Sequence, residues 1–258
     1  MKPGDGHRVF GIHSVQSLLA KHPQTIRRLW VLDSRQDERV GLLVRAARAE
    51  GIDTVLLPRH RLDALVSGSH QGVVAECGPI ALASEKELEL HWPRLGATPL
   101  VLVLDGVTDP RNLGACLRSA EAAGVDTVLL PKRRSAALNS VARKTASGAA
   151  ESLFLVSVSN LARRLRWLKQ QGIWLIGSDA EAELSYDQVD MTQPTALILG
   201  SEGRGMRTLT REHCDLLVSI PMSGSVASLN VSVATGILLF EARRQRRKIG
   251  RASCRERV

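Results

Sequence analysis

Three segments of the 258-residue chain concentrate residues able to recognise a ligand. The first, Asp105-Gly106-Val107-Thr108-Asp109-Pro110-Arg111-Asn112-Leu113-Gly114, leads on to Arg118. The second is Gly200-Ser201-Glu202-Gly203-Arg204-Gly205-Met206. The third is Ile220-Pro221-Met222-Ser223-Gly224-Ser225-Val226-Ala227-Ser228-Leu229-Asn230. Each follows an apolar run that reads as a strand, and ligands of open parallel sheets bind beyond the carboxyl ends of strands. The segments are dense in Gly, Pro and polar residues, and together imply a site built largely from backbone groups with a few placed polar side chains: Asn112, Arg118, Glu202, Ser228 and Asn230. A site of that make-up suits a neutral or zwitterionic organic cofactor better than a triphosphate or a metal. Singly, each segment also has a plain structural reading: a turn and helix cap, a tight connection, the cap of a last helix. The order and combination of all three favour a site.

Competing chemistries lack their signatures. There is no GxxxxGK[ST] loop, no GxGxxG after the first strand of either unit and no GxSxG elbow. The four cysteines, at 77, 116, 214 and 254, form no CxxC pair, and no His/Cys cluster has zinc spacing. They read as reduced thiols, which makes a cytoplasmic location the default expectation.

The elements that must hold these segments fall into two alternating α/β patterns. In the first, strands at 29–32, 54–57 and 72–75 alternate with helical stretches at 12–19, 40–49 and 62–66. A Pro-bracketed acidic stretch over 77–98 reads as a linker. The second pattern opens with Leu100-Val101-Leu102-Val103-Leu104, a strand covered on both faces. Strands at 127–130, 153–156, 173–176, 196–199 and 216–220 follow, with helices at 113–123, 137–144, 161–171 and 227–246. This predicts a mostly parallel sheet with helices on both faces. Six residues separate Asn112 from Arg118, about 240° on a helix. The two therefore converge only if Asn112 lies in the preceding loop or at the cap, and Pro110 supports a loop start there.

Composition bounds the partner. The chain carries +9, from 35 Lys and Arg against 26 Asp and Glu, and is 44% hydrophobic. A basic globular protein favours a polyanion. Only 3% of residues are aromatic, which disfavours RNA binding by stacked aromatics. No apolar run approaches the ~20 residues of a membrane span, so no membrane partner is expected. Met1 to Arg8 does not read as a secretory signal.

The three segments resemble the motifs of the SpoU (TrmH-like) branch of the SPOUT RNA methyltransferases. DPRNLGACLRSA is similar to the first motif, ILGSEGRGM to the second and IPMSGSVASLNVSVA to the third. GIHSVQSLL near the start and HQG at 70–72 extend the likeness, which covers about residues 9–247. The resemblance implies a C-terminal SPOUT α/β domain with a deep trefoil knot over 99–248, rare among folds. It also implies a small N-terminal RNA-binding domain over 1–76 of the ribosomal L30e kind. S-adenosylmethionine is the implied cofactor, with no metal, held by the main chain at Gly200, Ile220 and Leu229. A homodimer through the knotted domains is implied as well. The implied reaction is 2′-O-methylation of a guanosine ribose in bacterial 23S rRNA, free or within an assembling large subunit. The alternatives are the same chemistry on tRNA, or a non-catalytic RNA-binding assembly factor.

The residue matching the family's catalytic Arg is Arg118. A guanidinium holds its proton too tightly to serve as a base, so Arg118 is expected to position the ribose and a phosphate and to stabilise alkoxide character. Asn112 is expected to orient Arg118 or the ribose. Glu202 would hold a loop or accept a bond from substrate, and Ser228 and Asn230 would line the mouth. RNA contacts are expected from Arg111, Lys132, Arg133, Arg134, Arg143, Lys144 and Arg204. Residues 249–258 do not resemble the family's C-terminus and read like an in-frame translation of a sequencing adapter. They are expected to be non-native.

Overall fold

The structure is a computed structural model and describes residues 7–35, 37–66, 68–78 and 82–255. It divides into two compact units.

The first unit holds β1 (His7–Phe10), α1 (Ile12–Lys21), β2 (Ile26–Leu32), α2 (Glu38–Ala49), β3 (Asp53–Leu57), α3 (Arg59–Leu65) and β4 (Val73–Cys77). It also includes residues Ser147–Ser152, which contain the short helix α7 (Ala149–Ser152). The sheet order is β1-β4-β2-β3. Strand β4 runs antiparallel to both neighbours, and β2 and β3 are parallel. Side chains alternate across a strand, and the core follows that period. Leu29, Val31, Val73, Ala75 and Cys77 pack with Val15, Leu18 and Leu43 on one face. Trp30 and Val74 pack with Leu62 on the other. Strand β1 was not foreseen, because its His-Arg-Val-Phe is too short to separate from a polar lead-in. Helix α3 begins earlier than expected, directly after Pro58 at its cap position.

The second unit contains α4 (Glu85–His91), β5 (Leu100–Asp105), α5 (Pro110–Ala123), β6 (Thr127–Pro131), α6 (Ser140–Ala146), β7 (Leu155–Val158) and α8 (Leu161–Gln170). It continues with β8 (Trp174–Ser178), β9 (Thr195–Gly200), α9 (Thr208–His213), β10 (Leu216–Val218) and α10 (Val231–Arg255). Its six strands are all parallel, in the order β10-β8-β9-β5-β6-β7. Every residue of β5 is buried. Val101 and Val103 meet Leu88, Leu165 and Leu168 on one face, while Leu100, Leu102 and Leu104, of opposite parity, are equally buried. Helix α5 packs against α6 and α10.

Several boundaries move, each for a local reason. The acidic stretch within 77–98 is not featureless. Ser84 and Glu87 form a reciprocal capping box that starts α4, and Ala83 bridges to Val156. Glu85 and Glu89 pair with the buried Arg164 at 2.8 and 3.0 Å. Helix α5 starts at Pro110 instead of 113, because Asp109 Oδ1 accepts from Arg111 and Asn112 N–H at 2.6 and 3.0 Å and proline suits the first helical position. Helix α6 starts at Ser140, not 137, with Asn139 Oδ1 accepting from the N–H of Val141 and Ala142. Strands β7 and β8 sit one or two residues later than expected, and α10 begins at Val231, not 227. The expected non-native tail, 249–258, continues the backbone of α10 to Arg255; its side chains and last three residues lie outside the described residues.

Candidate active site

The chain's crossovers place a crevice between β5 and β9. From β5 the chain moves to β6 on one side, whereas from β9 it moves towards β10 on the other. Such a reversal opens a binding crevice at the carboxyl ends of the two strands. Asp105 and Gly200, the last residues of β5 and β9, are register partners there. The first segment leaves from Asp105 and the second from Gly200. The third follows β10 and ends at the start of α10.

Three side chains, one from each segment, hydrogen-bond one another. Asn112 Nδ2 donates to Glu202 Oε1. Asn230 Nδ2 donates to Asn112 Oδ1 at 3.1 Å and, more weakly, to Glu202 Oε1 at 3.4 Å. Asn230 also caps α10, its Oδ1 accepting from the N–H and Oγ of Ser232 at 2.8 and 2.6 Å. Glu202 thus holds its loop through side-chain amides, with Oε2 outside the triangle.

The loop that carries Glu202 is a tight hairpin. Ser201 and Gly205 exchange N–H···O bonds at 3.0 and 2.9 Å, and Gly203 and Gly205 adopt φ of 73° and 66°. Gly200 lies under the turn. A Cβ there would sit 2.0 Å from the Gly205 carbonyl carbon, so no larger residue fits without moving the hairpin.

Other expected residues are distributed differently. Asn112 lies within the first turn of α5, not in a loop, so the helical angle keeps it off the face of Arg118; its amide binds Glu202 and Asn230. Arg118 and Ser228 are exposed and are not members of the triangle. Ile220 and Leu229 are half-buried near either end of the third segment. Arg111, Lys132, Arg133, Arg134, Lys144 and Arg204 are exposed. Arg143 is not available to RNA: it is buried, and its Nε donates to the Leu138 carbonyl at 3.3 Å.

Two residues of the crevice were missed. Asp105 is buried, and its Oδ2 accepts the Arg207 N–H at 3.0 Å. Arg207 Nε lies 3.4 Å from Oδ1. The signal was present: an apolar strand ending in a carboxylate, LVLVLD, is unusual unless the charge is paired. Behind the site, Cys116 on α5 meets Thr235 of α10 at 3.3 Å, and burial pushes its thiol up to about 11.

The third segment fits an organic cofactor held by main chain. Among the described residues, the N–H groups of Met222–Leu229 and the carbonyls of Pro221–Leu229 make no backbone hydrogen bond, leaving donors and acceptors for a ligand. No group of three or more His, Cys, Asp or Glu able to hold a metal occurs among the described residues.

The sheet is parallel, the Asn–Glu–Asn triangle lies over its switch point, and the helix that carries Asn112 also bears the exposed Arg118. The SpoU rRNA methylase family model matches residues 99–240. That for RNA 2′-O ribose methyltransferase substrate binding matches residues 8–83. The chain belongs to the SpoU rRNA methylase family. It is 52% identical over 239 residues to the 23S rRNA (guanosine-2′-O-)-methyltransferase RlmB of Pseudomonas putida, covering 93% of this chain and 96% of that one. It is 51% identical over 242 residues to RlmB of Escherichia coli K12, covering 92% and 98%. In structure it resembles the SpoU methyltransferase AviRb of Streptomyces viridochromogenes in complex with the cofactor AdoMet. That likeness has a TM-score of 0.72 and 27% identity and covers 93% of this chain and 90% of the other.

Proposed function

We propose that this chain methylates the ribose 2′-hydroxyl of a guanosine in bacterial 23S rRNA, using S-adenosylmethionine. The observation that carries the reading is the hydrogen-bonded triangle of Asn112, Glu202 and Asn230 over the β5/β9 crevice, in a chain half identical to RlmB along nearly its whole length. The main chain at Gly200, Ile220 and Leu229 would hold the cofactor. When bound, S-adenosylmethionine supplies an electrophilic methyl group on a sulfonium centre.

The protein's own groups must then orient the ribose oxygen and help remove its proton. Arg118 steers the ribose and a neighbouring phosphate and stabilises the developing alkoxide with a planar fork of donors. Glu202 Oε2 is available to accept a hydrogen bond from substrate, while Oε1 keeps the loop tied to α5 and α10. Asn112 is a positioning residue for Glu202 and Asn230. Ser228 lines the mouth. Exposed Arg111, Lys132, Arg133, Arg134 and Arg204 meet RNA phosphates.

In the same reading, residues 1–76 bind RNA, which the substrate-binding family model over residues 8–83 supports, and 99–248 form the catalytic α/β knot, with α4 of the intervening 77–98 stretch packed into the second unit. Two chains pair through the knotted domains, which the exposed Val233 and Phe240 of α10 support. The substrate is 23S rRNA free or in an assembling large subunit, met in the cytoplasm. Among the described residues no helix is long and apolar enough to cross a membrane.

Transfer of a labelled methyl group to purified 23S rRNA and to tRNA, with the modified nucleotide mapped, tests the reading. Label at one 23S guanosine 2′-oxygen is expected. Label confined to tRNA, or cofactor binding without turnover on any rRNA substrate, would overturn it.

A further inference from the structure

We propose that Asp105 is a positioning residue that sets the Glu202 hairpin from beneath, acting through Arg207; the catalytic part of this inference rests on the methyltransferase reading above. Asp105 has a fully buried side chain at the carboxyl end of β5, in register with Gly200 where the hairpin begins. Its Oδ2 accepts the main-chain N–H of Arg207, where the loop leaves for α9. Its Oδ1 lies 3.4 Å from Arg207 Nε and has no hydrogen-bond partner of its own. One carboxylate therefore fixes the exit of the loop while its own strand fixes the entry. Between these two points, Glu202 reaches across to Asn112 and Asn230.

The placement is expensive unless it serves the loop. A buried carboxylate needs a paired charge and hydrogen bonds, and here the counter-charge and the one hydrogen bond, to Oδ2, both come from Arg207. Gly106 adds to the arrangement. Its φ of 86° turns the chain immediately after Asp105, and a Cβ at Gly106 would lie 3.8 Å from Ser201 Cβ and 3.9 Å from Arg207 Nη2. The base of the hairpin thus lies beside Asp105 and Gly106, near enough that a methyl group at Gly106 would just touch Ser201 and Arg207. A shift of a few tenths of an ångström there would be passed to Glu202, because the Ser201–Gly205 turn is closed by two main-chain bonds.

Asp105→Asn keeps an acceptor for the Arg207 N–H and removes the ion pair. Arg207→Ala, at a side chain 41% exposed, gives a second variant that does not touch the buried core. In both, hydrogen exchange at the Ser201 and Gly205 amides is expected to quicken about tenfold while exchange in α8 stays unchanged. Wild-type exchange at those two amides would overturn the proposal, as would an equal rise throughout the unit. Both variants are also expected to lower the single-turnover methylation rate about tenfold with KM for RNA unchanged. Combining either with Glu202→Ala should cost no more than Glu202→Ala alone; additive losses would overturn the route through Glu202. If the wild-type chain methylates no 23S rRNA, the functional reading fails on its own, and the exchange measurements still decide the role of Asp105.

Discussion

Asn230 uses both ends of one carboxamide. Its oxygen caps α10 and its nitrogen joins Asn112 and Glu202, so one residue starts a helix and closes a site. Arg118 differs in being exposed, further along α5 and outside the triangle. If its planar fork matters, Arg118→Lys keeps the charge and loses the function. A single-turnover rate reduced by about 10²-fold or more is expected, the usual size for loss of an oriented donor. A near wild-type rate would show that charge alone suffices.

At the scale of elements, close approach and ion pairing set the positions. Helix α5 comes so near α6 that a Cβ on Gly114 would lie 2.3 Å from the Ala142 carbonyl oxygen. Gly114→Ala must therefore push the helices apart. Overpacking of this kind costs about 1–3 kcal/mol, and a lower Tm with weakened methylation is expected, since Asn112 rides on α5. Between α4 and α8 the clamp is electrostatic. Burial works against ionisation of Glu85, but hydrogen bonds from Arg164, the Ser159 N–H and Arg163 outweigh it and hold the carboxyl below its usual range. A depressed folded-state pKa gives stability that is present above the ordinary carboxylate value and lost as pH falls through the folded one. Glu85→Gln should thus lower Tm at pH 7, by an amount equivalent to about 1–3 kcal/mol. The gap from wild type should close in thermal melts taken at progressively lower pH below the ordinary Glu range. A gap that persists at acid pH would assign the effect to packing.

Much of this layer was legible in the sequence. The run at 100–104 reads at once as a central strand, and its order with later strands agrees with a parallel sheet. The three segments were legible because each interrupts an apolar pattern with Gly, Pro and amides. What escaped was governed by geometry that residue type does not show, at short range in two cases and long range in a third. Asp109 and Pro110 look like a turn, and only their capping geometry makes them the start of α5 and carries Asn112 onto the helix. Arg143 looks like any surface arginine, because its residue type does not reveal that it is buried with its Nε on the Leu138 carbonyl. The acidic stretch looks like a linker until Arg164, some 79 residues on, supplies its counter-charge.

For the whole molecule, charge and exposed apolar surface govern association. Val233 and Phe240 lie seven residues apart on α10, each half exposed, about two helical turns along one face. If that face joins two copies, Phe240→Asp should give a monomer in sedimentation velocity at concentrations where the wild type is a dimer. An unchanged dimer would move the interface elsewhere. RNA binding should also depend on salt through the exposed basic residues. Removing two phosphate contacts in Arg133→Ala/Arg134→Ala should flatten the log–log salt dependence of binding by roughly 1.5, whereas an unchanged slope would remove both from the interface.

The triangle also sets a clock on synthesis. Asn112 must wait for partners 90 and 118 residues downstream, so no shorter nascent chain can hold the site. At about 5–20 residues per second, roughly 6–24 s separate the making of Asn112 from that of Asn230. Throughout that interval a ribosome carries the finished strand β5 with its binding crevice incomplete. The first unit, which includes Ser147–Ser152, is therefore fully synthesised before the triangle can close.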